Sequence, residues 1–420
     1  MIAVLAQVLA LASGLLVNFL YPLVFGLAHY GEFLKYALPT LVLHRVVDMA
    51  SESLIALPME TGFFRFSAIC VGLMGLVAFL ALWLAGVTQF IDLRLFCSLL
   101  ATSVIMLVLH RDRRFGALAS YLAIFNVSFC GVTTIAATTG ALDLVDILVL
   151  TNLVGVIVGT FLLRGRVGEA MPLTSTTQTL TSVLKKIPNA LGGTLSANAI
   201  TNIFPLVVAG FLSAGELAKF RIFTSILQSS TSLFPLNTKS VLSLMREETH
   251  RLDFARWLDL AYWYFLLFAG GILVLSGFFP KWAIYGSAAL MMIPFFWLVL
   301  LERYGITGGH SLALGKVGLI GLIVALLTCA LWVRTEAEAV TAMCMLIAIQ
   351  TTMLAAILLS GKSRYLVFYA AVLLSALVIL TILGSWKSAW VVLLAVAYGL
   401  AFMRLSRAHL CLIIGREEYK

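Results

Sequence analysis

Apolar runs of membrane-spanning length, separated by short polar turns, recur along almost the whole chain and leave few folds open to it. A bilayer core of about 30 Å needs roughly 20 apolar residues per helix, and in lipid each span must satisfy its own backbone polar groups. Fourteen such runs can be read: 2–28, 34–57, 66–86, 92–110, 116–137, 142–163, 188–212, 217–243, 257–279, 282–301, 316–333, 338–360, 364–383 and 388–406. Of the 420 residues, 62% are apolar and 11% charged, and the mean hydropathy is +1.06. That composition offers too little polar surface to cover a soluble globule. The expected fold is all-α, a polytopic membrane protein of about 14 transmembrane helices. The first run, Met1 to Ala28, has no basic stretch before it and exceeds a signal-peptide core, so it reads as a retained span with no targeting peptide.

Six spans precede a longer polar connection, Arg164 to Ile187, rich in Thr and Ser and closed by Lys185 and Lys186. The division expected is an N-lobe at 1–163 (spans 1–6), a cytoplasmic linker at 164–187 and a C-lobe at 188–360 (spans 7–12). Helices 13 and 14 and a cytoplasmic tail follow at 361–420. The formal charge of +9 invites a nucleic-acid reading, but the basic residues sit in short loops. Loops after even-numbered spans, with the tail, hold 19 of the 28 Lys and Arg, against seven in the loops after odd-numbered spans; Arg45 and Lys239 lie inside spans. The positive-inside rule then places both termini in the cytoplasm.

The segment Leu34 to Pro58 carries His44, Arg45, Asp48 and Glu52 near its middle. At about 100° per residue these four share one flank of a helix. Each ion at mid-bilayer costs roughly 2.5–3.5 kcal/mol on insertion scales, so that flank cannot face lipid. Two readings stand: an internal Arg45 to Asp48 pair that locks two helices, or a polar cavity for a charged substrate. In a span, the carboxylates Asp48 and Glu52 suit cation coupling, to H+ or Na+, better than hydrolysis.

Gly31-Glu32-Phe33-Leu34-Lys35-Tyr36 recurs 184 residues later as Gly215-Glu216-Leu217-Ala218-Lys219-Phe220. The same offset lays Asn18 on Asn202, Thr40 on Thr224, His44 on Gln228 and Asp48 on Ser232. Repeats separated by an even number of spans share one orientation, as in transporters whose halves are related by an axis along the membrane normal. The expected lobes are therefore two parallel six-helix repeats, with substrate between them. Span 8 presents Thr224, Gln228, Thr231, Ser232, Pro235 and Lys239 on one face, and span 7 stacks Asn198 on Asn202. Interhelical hydrogen bonding accounts for the neutral residues equally well, snorkelling for Lys239 and a core hydrogen bond for His44.

Other motifs fail in context. Ala356 to Ser363 reads AxxxxGKS, but it joins two apolar spans where a phosphate-binding loop needs a strand before and a helix after. Asn126-Val127-Ser128 lies inside span 5, out of reach of glycosylation. The six cysteines are scattered singly through apolar runs, without metal-ligand spacing. No cofactor or metal is expected.

The run FGLAHYGEFLKYALPTLVLHRVVDMASESLIALP, with a span ahead of it, and the second copy NALGGTLSANAITNIFPLVVAGFLSAGELAKF together resemble the polysaccharide flippase branch of the multidrug/oligosaccharidyl-lipid/polysaccharide exporter superfamily. The likeness covers the first twelve spans in order. It implies two six-helix lobes that move an undecaprenyl-diphosphate-linked oligosaccharide from the cytoplasmic to the outer leaflet for O-antigen, capsule or exopolysaccharide assembly. The implied setting is the inner membrane of a bacterium, and the implied form a monomeric transporter rather than an enzyme. Arg45, the only arginine read deep in a span, takes the place of the cavity cations such proteins use on pyrophosphate. His44, Asn198, Asn202, Gln228 and Lys239 are the further substrate-binding candidates, and Asp48 and Glu52 the coupling carboxylates. The several cavity arginines typical of lipid II flippases are not seen. A cation-coupled exporter of drugs or metabolites on the same fold is the alternative; it would favour a carboxylate in span 1, which has none. A membrane polymerase or glycosyltransferase would need sizeable external loops, which are absent.

Overall fold

The computed structural model describes residues 2–51, 62–112, 114–167, 195–233 and 289–359, with isolated residues between them. Spans 13 and 14, the tail, most of the linker and of span 9, Glu52 and Lys239 lie outside the described residues.

Among the described residues there is no strand. In chain order the helices are α1 (Ile2–Phe25), α2 (Leu27–Ser51), α3 (Phe63–Leu84), α4 (Leu93–Arg111), α5 (Phe115–Thr139), α6 (Leu144–Leu162) and the single turn α7 (Arg164–Val167). A π-helical turn (Ala199–Ile203) leads into α8 (Phe204–Ala209) and α9 (Ala214–Leu233). The last described are α10 (Met292–Thr307), α11 (Ser311–Leu331) and α12 (Glu336–Leu358). Six of these, α3 to α6, α11 and α12, are long and apolar enough to cross a membrane. The all-helical, multi-pass architecture is the one that the apolar runs dictate.

Helix ends follow local chemistry. The Asp92 carboxylate accepts the Leu95 amide at 2.9 Å and caps α4, and Asp143 does the same for α6 through the Asp146 amide at 2.8 Å. Thr335 and Glu338 form a capping box on α12. Gly140 closes α5 with φ 63°, a conformation that costs other residues strain.

The turn between the first two spans comes earlier than expected. It lies at Gly26 (φ 86°), directly after α1, and the Gly31 to Tyr36 repeat is already inside α2. The reason is in the second copy. A Cβ on Gly31 would lie 1.7 Å from the carbonyl oxygen of Ala214, at the start of α9. Only glycine permits that approach, and Ala214 adjoins Gly215, the repeat partner of Gly31. The first copy of the corner thus packs, through Gly31, on the start of the second. Gly31→Ala should force α2 and α9 apart, at about 1–3 kcal/mol for overpacking. We expect a lower melting temperature for the purified variant; an unchanged one would mean the contact is dispensable.

The chain divides into two compact units, 1–225 and 226–420. In the first, α1 packs on α5, α5 on α6, α4 on α6 and α3, and α2 on α3, α4 and α8. Tyr21 is fully buried there, its hydroxyl donating to the Leu144 carbonyl at 2.8 Å and its ring 5.1 Å from that of Phe129. In the second unit α12 packs on α10 and α11, and the Trp297 indole N–H donates to the Leu258 carbonyl at 2.9 Å.

Candidate functional site

Halfway along α2, a hydrogen-bonded chain crosses to α4. The His44 imidazole Nε2 lies 2.8 Å from Ser103 Oγ, and the Ser103 hydroxyl donates to Asp48 Oδ1 at 3.2 Å. With the serine proton directed at the carboxylate, His44 must be the donor to Ser103. The other Asp48 oxygen, Oδ2, accepts from Arg45 Nη1. Three of the four residues singled out in this span therefore meet in one network, and Ser103, which sequence reasoning missed, joins them. Ser103 gave no signal because a lone serine in an apolar span is unremarkable.

The exposure of the pair decides between packing and access. The Arg45 side chain is 44% exposed and that of Asp48 24%. The Arg45 to Asp48 pair thus exists, as the first reading required, but it is not sealed between two helices. Arg45 spends Nη1 on Asp48 and makes no other hydrogen bond among the described residues, so Nε and Nη2 remain available. Glu52 lies outside the described residues.

The second polar cluster lies where span 7 meets α9. Pro205 has no N–H to give the Thr201 carbonyl one turn before it, and the chain widens into the π turn at that point. Arg221, on α9, supplies the missing donor: its Nη1 lies 3.2 Å from the Thr201 carbonyl oxygen and 3.4 Å from Thr224 Oγ1. Asn202 Nδ2 donates to Asn198 Oδ1 at 2.9 Å and to Thr201 Oγ1 at 3.0 Å. Asn18, the repeat counterpart of Asn202, accepts from the Tyr30 hydroxyl at 2.8 Å. The expected i,i+4 stacking of Asn198 on Asn202 is present as a direct hydrogen bond.

Arg221 corrects one reading. The sequence counted it with the external corner and left Arg45 as the only arginine deep in a span. Because α9 starts at Ala214, Arg221 stands two turns inside the helix and is only partly exposed. Gln228 is partly buried further along α9. His44 and Arg45 take part in the hydrogen-bonded chain on α2 and α4, and Asn198 and Asn202 in the one on span 7, beside α9. Among the described residues no group of three metal-ligating side chains occurs.

No protein-family model matches the chain, and no curated protein is similar to it. A solved structure described as the lipid II flippase MurJ in an inward closed conformation is similar in fold, with a TM-score of 0.66 over 96% of this chain and 98% of that one, at 11% identity. At that identity the likeness establishes a shared fold.

Proposed function

We propose that this protein is a flippase, moving an undecaprenyl-diphosphate-linked oligosaccharide from the cytoplasmic to the outer leaflet of a bacterial inner membrane by alternating access. The glycan would serve O-antigen, capsule or exopolysaccharide assembly. The observation that carries the reading is Arg45: a partly exposed guanidinium within a span of a MurJ-like fold, with two donor positions unspent. A guanidinium suits a diphosphate because its planar fork makes parallel, charge-assisted hydrogen bonds. Asn198, Gln228 and Lys239 would offer neutral and cationic donors for the rest of the head group, and Asn202, whose Nδ2 is spent on Asn198 and Thr201, its carbonyl oxygen as an acceptor. Asp48, with Glu52, would couple transport to H+ or Na+. The neighbour's title names lipid II as its cargo, whereas here the described arginines inside spans are few, and Arg221 is engaged with the Thr201 carbonyl. A lipid-linked glycan of another kind therefore fits better than a peptidoglycan precursor.

The test is reconstitution. Proteoliposomes loaded on one leaflet with an undecaprenyl-diphosphate oligosaccharide should expose it to an external glycosidase faster than empty vesicles do. Extrusion of small cations with no flipping would favour the exporter alternative.

Direction depends on topology. Basic residues crowd the ends of α4 and α6 and the start of α3, which supports a cytoplasmic position for that face. In a cysteine-free background, single cysteines at Gln89 and Ala141, both exposed at the opposite face, should react with an impermeant thiol reagent applied to intact cells, and one at Thr176 should not. The reverse pattern would invert the direction of transport.

A further inference from the structure

At the basic face of the first unit, the start of α3, the end of α4, α7 and Glu169 line an open cavity of about 250 Å³, with Phe63, Phe64, Arg111, Asp112, Arg166 and Glu169 at its walls. Its charges are arranged in opposition. Arg166 faces Asp112 Oδ2 with Nε at 3.1 Å and Glu169 Oε1 with Nη1 at 2.7 Å. The second Glu169 oxygen accepts the Gly62 amide at 3.1 Å, at the N-terminus of α3. The Arg111 guanidinium lies 3.7 Å above the centre of the Phe63 ring. The hydrogen bond from Arg166, then that from Gly62, hold the Glu169 carboxyl below its usual range, so it is an anion at cytoplasmic pH.

Two guanidinium groups and two carboxylates leave the cavity neutral but strongly polar. Asp112 Oδ2 is buried and ion-paired with Arg166 Nε at 3.1 Å, in a geometry short of a hydrogen bond. A carboxylate oxygen accepts more than one donor, so a second cationic donor has a place there. On the donor side, Arg166 keeps Nη2 unspent among the described contacts. A simple anion entering here would meet two carboxylates, and a simple cation two guanidinium groups. A ligand carrying both charges meets neither penalty. The cavity lies at the ends of α3 and α4, two helices long and apolar enough to cross a membrane, so in a bilayer it would sit near the head groups, where phospholipids carry both charges.

We propose that this cavity binds the head group of a zwitterionic, amine-bearing phospholipid of the adjoining leaflet. The phosphodiester oxygens would accept from Arg166 Nη2 and Arg111, the primary ammonium would donate to Asp112 Oδ2, and the glycerol would lie along Phe63 and Phe64. Since Arg166 and Glu169 follow directly on α6, a bound lipid would fasten the start of the linker to α3 and α4. This site is independent of the glycan and its test needs none.

The experiment uses the full-length, delipidated protein in detergent, titrated with short-chain phosphatidylethanolamine, short-chain phosphatidylglycerol and inorganic phosphate, and read by native mass spectrometry and thermal shift. Wild type should bind the ethanolamine lipid at least tenfold more tightly than the glycerol lipid, and phosphate alone weakly. Asp112→Asn should erase the preference between the two lipids. Arg166→Gln should lose at least tenfold for both, and Arg111→Gln reads the same loss should Arg166→Gln fail to accumulate. Equal binding of both lipids by wild type, a preference retained in Asp112→Asn, or phosphate binding as tight as lipid would each overturn the proposal.

Discussion

Asp48→Asn is expected to stop transport while leaving the protein folded and at near-normal level. The network around Asp48 can absorb the change. An asparagine placed with its oxygen toward Arg45 turns its amide toward Ser103; the serine hydroxyl then accepts, reverses, and donates to His44 Nε2 in the other imidazole tautomer. The bond from Arg45 keeps its direction, the two through Ser103 reverse theirs, and only titration is lost. If the carboxylate binds H+ or Na+ during the return of the empty carrier, the variant should be inactive in both cases. Flux measured in proteoliposomes across a range of external pH and Na+ separates the ions, since only a proton-coupled wild type loses its rate when the pH gradient is collapsed. Glu52→Gln should act in the same sense but more weakly. Full transport in the Asp48→Asn, Glu52→Gln double variant, with unchanged ion dependence, would leave the carboxylates as mere partners of Arg45.

The spans were legible because lipid imposes a single rule, a run of apolar residues long enough to cross it, and α1 to α6 fall within a few residues of the expected bounds, α2 excepted. That exception is instructive. Gly31-Glu32 looks like a turn, since glycine beside a charge usually ends a span, yet here the glycine serves a close helix approach and Gly26 makes the turn. The α2 cluster was legible through helical periodicity, which places His44, Arg45 and Asp48 on one flank before any contact is known. Ser103 and Arg221 were not. A serine across a helix interface has no periodic partner, and Arg221 meets the Thr201 carbonyl, twenty residues earlier, where Pro205 has no N–H to give, a demand set by backbone geometry rather than by composition.

Arg45→Lys should fold normally and lose most of the transport, at least tenfold in flux. The lysine ammonium still reaches Asp48 one turn away, so the pair persists, but a point charge cannot make the two parallel hydrogen bonds that a diphosphate accepts from a guanidinium. Stability should not confuse the result. A sealed pair deprived of one partner would cost about 3–5 kcal/mol, but with Arg45 44% exposed the loss in Arg45→Ala falls to about 1 kcal/mol. Melting temperature and membrane level should therefore change little in either variant, and any large loss of flux belongs to substrate. The decisive protein is the triple change of Arg45, Asp48 and Glu52 to Leu, which removes every ion on this flank and favours insertion. If the ions only balance one another, that protein should be stable and transport the glycan. If Arg45 grips the diphosphate, it should be stable and inactive, and an active triple variant would sink the clamp at Arg45 while leaving the fold untouched.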